Sequence, residues 1–214
     1  IINGITDWVY EEEFAFVRAF EWNSNGTKIA FLKFDETNVP LYAMDVYGEN
    51  LYPFQYEFKY PKAGEKNAIV DIYIYEVAKG LSIKANLGEE KDQYIPRLKW
   101  IPGINQLCAT RLNRYQNFLE LLSVNPSTGA SKVIYSEDSK TYVEVTDNLF
   151  FDEKGSEFYI TSEKEGYNQI YSFTTTGKRL DKLTRDNWDV TEVYGLDKKG
   201  YIYFQAAAVS PYQR

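Results

Sequence analysis

The chain is 214 residues long, 44% hydrophobic and 17% aromatic, and its 24 Lys+Arg against 31 Asp+Glu leave a net charge of −7. That length suits one large domain or part of one, the lack of a basic run excludes a nucleic-acid surface, and no apolar stretch approaches the roughly 20 residues of a membrane helix. Histidine is absent and Cys108 is the single cysteine. No Ser-His-Asp or Cys-His constellation can therefore be completed within the chain, so no catalytic residue is expected in it. No intrachain disulfide can form, and no metal or cofactor is expected, because tight sites recruit His or Cys. The start, IINGITDW, shows neither an initiating Met nor the charged-then-apolar order of a signal peptide, which reads as a mature or excised piece of a longer protein.

The first element is ITDWVYEEEF. Asp7 stands in an N-cap position ahead of a short helix. Glu11, Glu12 and Glu13 then fall in its last turn, against the helix dipole and against one another. No basic residue precedes them and the nearest following one is Arg18. One reading is a solvated acidic patch; the other is an anion cluster that receives a cation from outside. Successive helical positions point about 100° apart, so two neighbours converge on one cation only through inward-bent side chains or an irregular turn. Tyr10 either lines such a pocket or supports the helix.

From there the pattern is all-β. TKIAFLKF, AIVDIYIYEV, QLCATRL, FLELLSV, EFYITSE, YNQIYSF and YIYFQAAA alternate with period two, and NPSTG, EKEG and TTTG read as tight turns. VAKGLSIKANLG reads as a helical or irregular piece. Four stretches repeat one unit, a large apolar residue, a polar turn and an alternating strand. They start at Trp22, Trp100, Phe151 and Leu196, spaced 78, 51 and 45 residues apart. Such a spacing is that of a β-propeller blade. The expected organisation is a glutamate-bearing segment over 1–16, a blade over 17–90 with an inserted loop or hairpin at 35–66, blades over 94–136 and 148–185, and a partial blade over 190–214. Trp22, Trp100 and Trp188 are expected in blade cores. About three complete blades plus a partial one do not close a ring, so a propeller fragment is expected, with open edge strands that invite a homodimer.

GITDWVYEEE resembles the signature of the dipeptidyl peptidase IV family, prolyl-oligopeptidase-like serine peptidases with an N-terminal β-propeller. W-x-x-N-G-T at Trp22–Thr27, V-P-L at Val39–Leu41, Y-P-K-A-G-x-x-N at Tyr60–Asn67 and S-x-x-x-G-Y-x-x-I-Y at Ser162–Tyr171 are similar to later family stretches, in the same order. The resemblance implies that Glu12 and Glu13 bind the free α-amino group of a peptide, with Glu11 secondary. It also implies release of N-terminal X-Pro or X-Ala dipeptides, action in the periplasm or outside the cell, and a catalytic triad in a C-terminal α/β-hydrolase domain that this chain lacks; no G-x-S-x-G elbow occurs here. Where some members carry a Phe-Arg pair, TYVEVTDNLFF has no arginine, so nothing carries over there. The alternative is a non-catalytic protein- or peptide-binding propeller module.

Overall fold

Period-two alternation produces the strands and decides which side of each is buried. The structure, a computed structural model, describes residues 1–210 and Tyr212. The chain runs through β1 (Ile2–Asn3), helix α1 (Trp8–Phe14), β2 (Phe20–Trp22) and β3 (Lys28–Asp35). It then forms a hairpin of β4 (Leu41–Val46) and β5 (Phe54–Lys59), and completes its first sheet with β6 (Ile69–Glu76) and β7 (Leu81–Lys84). In β3, Ala30, Leu32 and Phe34 are buried, and in β6, Val70, Ile72 and Ile74 are, so alternate residues of two paired strands supply one face of the core.

Two four-stranded antiparallel meanders follow. β8 (Gln93–Ile101), β9 (Gln106–Asn113), β10 (Phe118–Val124) and β11 (Ser131–Asp138) pair in chain order, as do β12 (Leu149–Phe151), β13 (Glu157–Ser162), β14 (Gln169–Thr174) and β15 (Arg179–Lys182). β16 (Val190–Leu196) and β17 (Ile202–Ala206) form a two-stranded sheet. Sequential meanders stacked face to face are β-propeller blades, and the fold is an all-β propeller fragment. The main core runs through the first three sheets, while Ile170, Val190 and Val193 with Trp188 seat the fourth on the third.

The repeated polar turns have one physical basis. Asn23 Oδ1 accepts from the amides of Thr27 and Lys28 at 2.9 Å, and Asp152 Oδ1 accepts from those of Ser156 (2.7 Å) and Glu157 (2.9 Å). The short Asn or Asp side chain replaces backbone partners and forces the reversal. These turns also interlock the blades. Gly103 and Gly155 have φ of +73° and +68°, and a Cβ on Gly155 would lie 2.1 Å from the Pro102 carbonyl oxygen.

The inserted stretch is the β4–β5 hairpin, with Leu41 opposite Lys59 and Val46 opposite Phe54. Two expectations are corrected. VAKGLSIKANLG is not helical: Leu81–Lys84 is strand β7 on the sheet's outer edge, and its apolar–polar alternation runs for only four residues after Gly80, too short to stand out from its surroundings. Trp22 is not core. It ends β2, which pairs only with β3, and is 49% exposed. Trp100 is half-buried, and its Nε1 donates to the Glu21 carbonyl at 2.9 Å, tying β8 to β2.

Candidate amine-binding helix

Helix α1 is an excursion from a strand split in two. β1 pairs Lys33 and Phe34 of β3, and β2 pairs Ile29–Phe31 on the same side of that strand. Between them, Ile5 bridges Arg18, and the Thr6 amide donates to the Val17 carbonyl. The two ends of the excursion are thus pinned together, and the residues between are displayed from a fixed base.

A seven-residue helix has little stability of its own, so tertiary contacts must hold this one. Asp7 caps it, accepting from the Tyr10 amide at 3.0 Å. Tyr10 and Phe14, one turn apart, are both buried. Their rings meet each other at 5.2 Å; Tyr10 also meets Phe34 at 4.8 Å, and Phe14 meets Tyr94 at 5.2 Å. Full burial of such rings contributes about 1.5–3 kcal/mol each. The Tyr10 hydroxyl accepts from the Ile95 amide at 2.8 Å. Tyr10, a candidate pocket residue, therefore lies in the core at 2% exposure and supports the helix instead. Burial raises its pKa well above the ordinary phenol value.

The C-terminal end is held by Arg97. Its guanidinium donates to the Phe14 carbonyl at 2.9 Å and the Pro96 carbonyl at 2.8 Å, pairs with Asp147 at 2.5 Å and lies over the Phe16 ring. A cation at the last carbonyls suits the helix dipole. Pro96 occupies the irregularity between Tyr94 and Arg97 where β8 breaks register with β9, a place where a missing amide is tolerated. The helix ends at Ala15 in a left-handed conformation (φ 54°, ψ 41°), which is unfavourable for a side chain with a Cβ.

This framework determines where the glutamates point. With Tyr10 and Phe14 inward, helical geometry turns Glu12 nearly opposite the core and leaves Glu11 and Glu13 on the two flanks. All three are exposed. Among the described residues none of them enters an ion pair, and the one side-chain hydrogen bond they receive runs from Gln116 Nε2 to Glu13 Oε1, at 2.7 Å. The neighbouring arginines are engaged elsewhere: Arg97 as above, Arg114 with Asp92 (3.0 Å) and the Glu65 carbonyl (2.9 Å), and Arg18 with Glu21 (2.6 Å). Burial, Glu144 and Glu13 together push the Tyr142 phenol above its usual pKa. Tyr142 and Glu144 belong to the 137–148 stretch that lines a polar groove of about 830 Å3, shared with Thr161–Lys164 and Glu192. Arg97 reaches that stretch through Asp147, so an arginine meets it from β8, a connection with no local signal in the sequence.

Distant motifs meet at the helix. Trp8 packs edge-on against Tyr60 at 4.3 Å, and Asn67 Nδ2 donates to the Tyr94 hydroxyl at 2.8 Å, so both ends of YPKAGEKN buttress DWVYEEE. Asp7 is 6% exposed, and burial pushes its carboxyl up to about 6. Cys108 is buried, and burial raises its thiol to about 12, which makes it no nucleophile. Among the described residues no group of three or more His, Cys, Asp or Glu is arranged to hold a metal ion, and no helix is long and apolar enough to cross a membrane.

Comparison with known proteins gives a consistent result. The family model of the dipeptidyl peptidase IV (DPP IV) N-terminal region matches residues 1–214. Dipeptidyl peptidase 4 of Trichophyton equinum is 32% identical over 220 residues, which cover 95% of this chain and 28% of that protein. The crystal structure of Porphyromonas gingivalis dipeptidyl peptidase 4 superposes with a TM-score of 0.91 at 39% identity, over 98% of this chain and 30% of that one. A putative dipeptidyl aminopeptidase IV from Bacteroides ovatus superposes with a TM-score of 0.84 at 28% identity, over 96% of this chain and 32% of that one. The chain thus spans less than a third of the length of these relatives.

Proposed function

The chain belongs to the family of the dipeptidyl peptidase IV N-terminal region, and from that premise we propose that it is the substrate-recognition portion of a serine-type dipeptidyl peptidase. Glu12 and Glu13 bind the α-amino group of a peptide with a free N-terminus, Glu11 being secondary, and the enzyme releases X-Pro or X-Ala dipeptides outside the cytoplasm. The observation that carries this reading is a rigidly seated helix whose carboxylates have no ion-pair partner among the described residues. A structural helix gains nothing from that arrangement, whereas an ammonium ion arriving with substrate relieves it. At 4 Å a carboxylate–ammonium pair contributes about 1 kcal/mol in water and about 4 kcal/mol at an effective dielectric near 20, so closure of a second domain over the site strengthens the anchor. Fixing the amine at one end also sets a length, since only two residues then reach the scissile bond.

The Ser, Asp and His of the reaction belong to an α/β-hydrolase domain of the same protein. One face of the hairpin β4–β5 offers Tyr42, Met44, Phe54 and Tyr56 at 37–55% exposure, an apolar surface suited to a second copy in a homodimer. The isolated chain should not turn over Gly-Pro or Ala-Pro amides. In the full-length protein, Glu12→Gln and Glu13→Gln should each raise KM and lower kcat/KM by about 100-fold, as expected for a desolvated charge pair. Wild-type kinetics in both variants would overturn the amine-anchor assignment.

A further inference from the structure

We propose that Gln116 is the positioning residue for Glu13, fixing its carboxylate for the substrate amine without neutralising it; this rests on the amine-anchor reading above. Gln116 lies in the turn between β9 and β10, 103 positions from Glu13. The turn is tightly specified. Asn113 Oδ1 accepts from the amides of Asn117 and Phe118 at 3.0 Å, the Gln116 amide donates to the Asn113 carbonyl at 2.9 Å, and the Gln116 carbonyl accepts from the Val143 amide at 2.9 Å. The turn therefore connects α1 to the stretch that lines the groove.

Gln116 holds this position at some cost to the fold. Its φ is +55°, where glycine or asparagine sits more easily. Its Oε1 is buried with no hydrogen-bond partner among the described residues, an arrangement that native proteins seldom keep without a reason. The amide orientation follows from chemistry, because a carboxylate can only accept, so Nε2 must face Glu13 and Oε1 must face away. What the residue provides is a neutral donor. A lysine or arginine in its place would hold Glu13 equally well and cancel the charge that the ammonium needs, while a hydrophobic residue would leave the carboxylate free to rotate. With one lone pair of Oε1 occupied, Glu13 keeps its full negative charge and its second oxygen open.

Gln116→Gly and Gln116→Asn separate this role from turn formation, since both residues accept the positive φ and neither side chain spans the 2.7 Å contact. In the full-length protein both variants should keep the wild-type melting temperature and a kcat within twofold, and raise KM for a Gly-Pro amide about tenfold, the effect of losing one hydrogen bond to a charged group. Glu13→Gln is measured alongside. If Glu13→Gln raises KM and both Gln116 variants do not, the positioning role is overturned and the anchor stands. If Glu13→Gln leaves KM unchanged, both fall.

Discussion

Glutamates on the blades and glutamates on α1 are treated in opposite ways by the same chain. Glu76 is held by Lys28 at 2.9 Å and Lys79 at 3.0 Å, Glu165 by Arg179 and Lys182 at 3.1 Å each, and Glu120 by Arg111. Their cations hold the Glu76 and Glu165 carboxyls below the usual range. On α1, three adjacent carboxylates meet a single side-chain amide among the described residues. Against these paired blade glutamates, the α1 set has no ion-pair partner among the described residues, which supports the proposal that its counter-charge is a substrate amine.

The difference can be broken from either side. The largest effect should come from giving α1 its own cation. In the full-length protein, Glu12→Lys should lower kcat/KM for a Gly-Pro amide by about 1000-fold, the order expected when a close charge pair is replaced by like-charge repulsion. Its melting temperature should hold or rise slightly, because a cation near a helix C-terminus is favourable. Loss of activity together with unfolding would place Glu12 among structural residues.

Glu120→Ala should do the reverse. Arg111 and Glu120 have side chains 21% and 13% exposed, and removing one partner of a largely buried pair costs about 3 kcal/mol. Thermal unfolding should shift down by several degrees while KM stays put; an unshifted KM with an unshifted melting point would show the pair to be dispensable.

A smaller effect is expected at Asp7. Burial holds its folded-state pKa at about 6, above the ordinary carboxyl value of about 4, so the native state binds the extra proton and the contribution of Asp7 to stability falls as pH rises from about 4 to about 6. Asp7→Asn keeps a capping oxygen and removes the buried charge. It should flatten that part of the stability-versus-pH curve and stabilise at pH 7 by about 1–2 kcal/mol. An unchanged curve in denaturant melts would contradict the burial of the charge. Smallest of all, Arg18→Ala breaks an exposed pair with Glu21 and should change stability by under about 0.5 kcal/mol.

Much of the fold was legible because its rules are local. Period-two runs such as KIAFLKFD, the Asn or Asp at Asn23 and Asp152 that folds each turn onto itself, and Asp7 ahead of WVYEEEF all carry their structure within a few residues. β7 is illegible because its Leu-Ser-Ile-Lys alternation spans only four residues, too few for a strand to be told apart from a helical turn. Trp22 misled because aromatic content predicts a strand, yet only pairing shows whether that strand has a second neighbour. At the site, the charge run stood out in one dimension, but its supports did not. Arg97 lies 83 positions from Phe14 and Gln116 lies 103 from Glu13, distances over which no periodicity operates. The role of Tyr10 depends on Ile95, 85 positions away, whose amide donates to its hydroxyl.

The central claim is that the open charge on α1 exists for a substrate amine, and it is tested most directly by removing the amine and the carboxylates in turn. Using the full-length protein, kcat/KM is measured for a Gly-Pro amide and for its analogue lacking the α-amino group, in wild type and in the Glu12→Gln/Glu13→Gln double variant. The account predicts a preference for the free amine of about 100-fold or more in wild type, collapsing to near unity in the double variant. An equal preference in both proteins would contradict it.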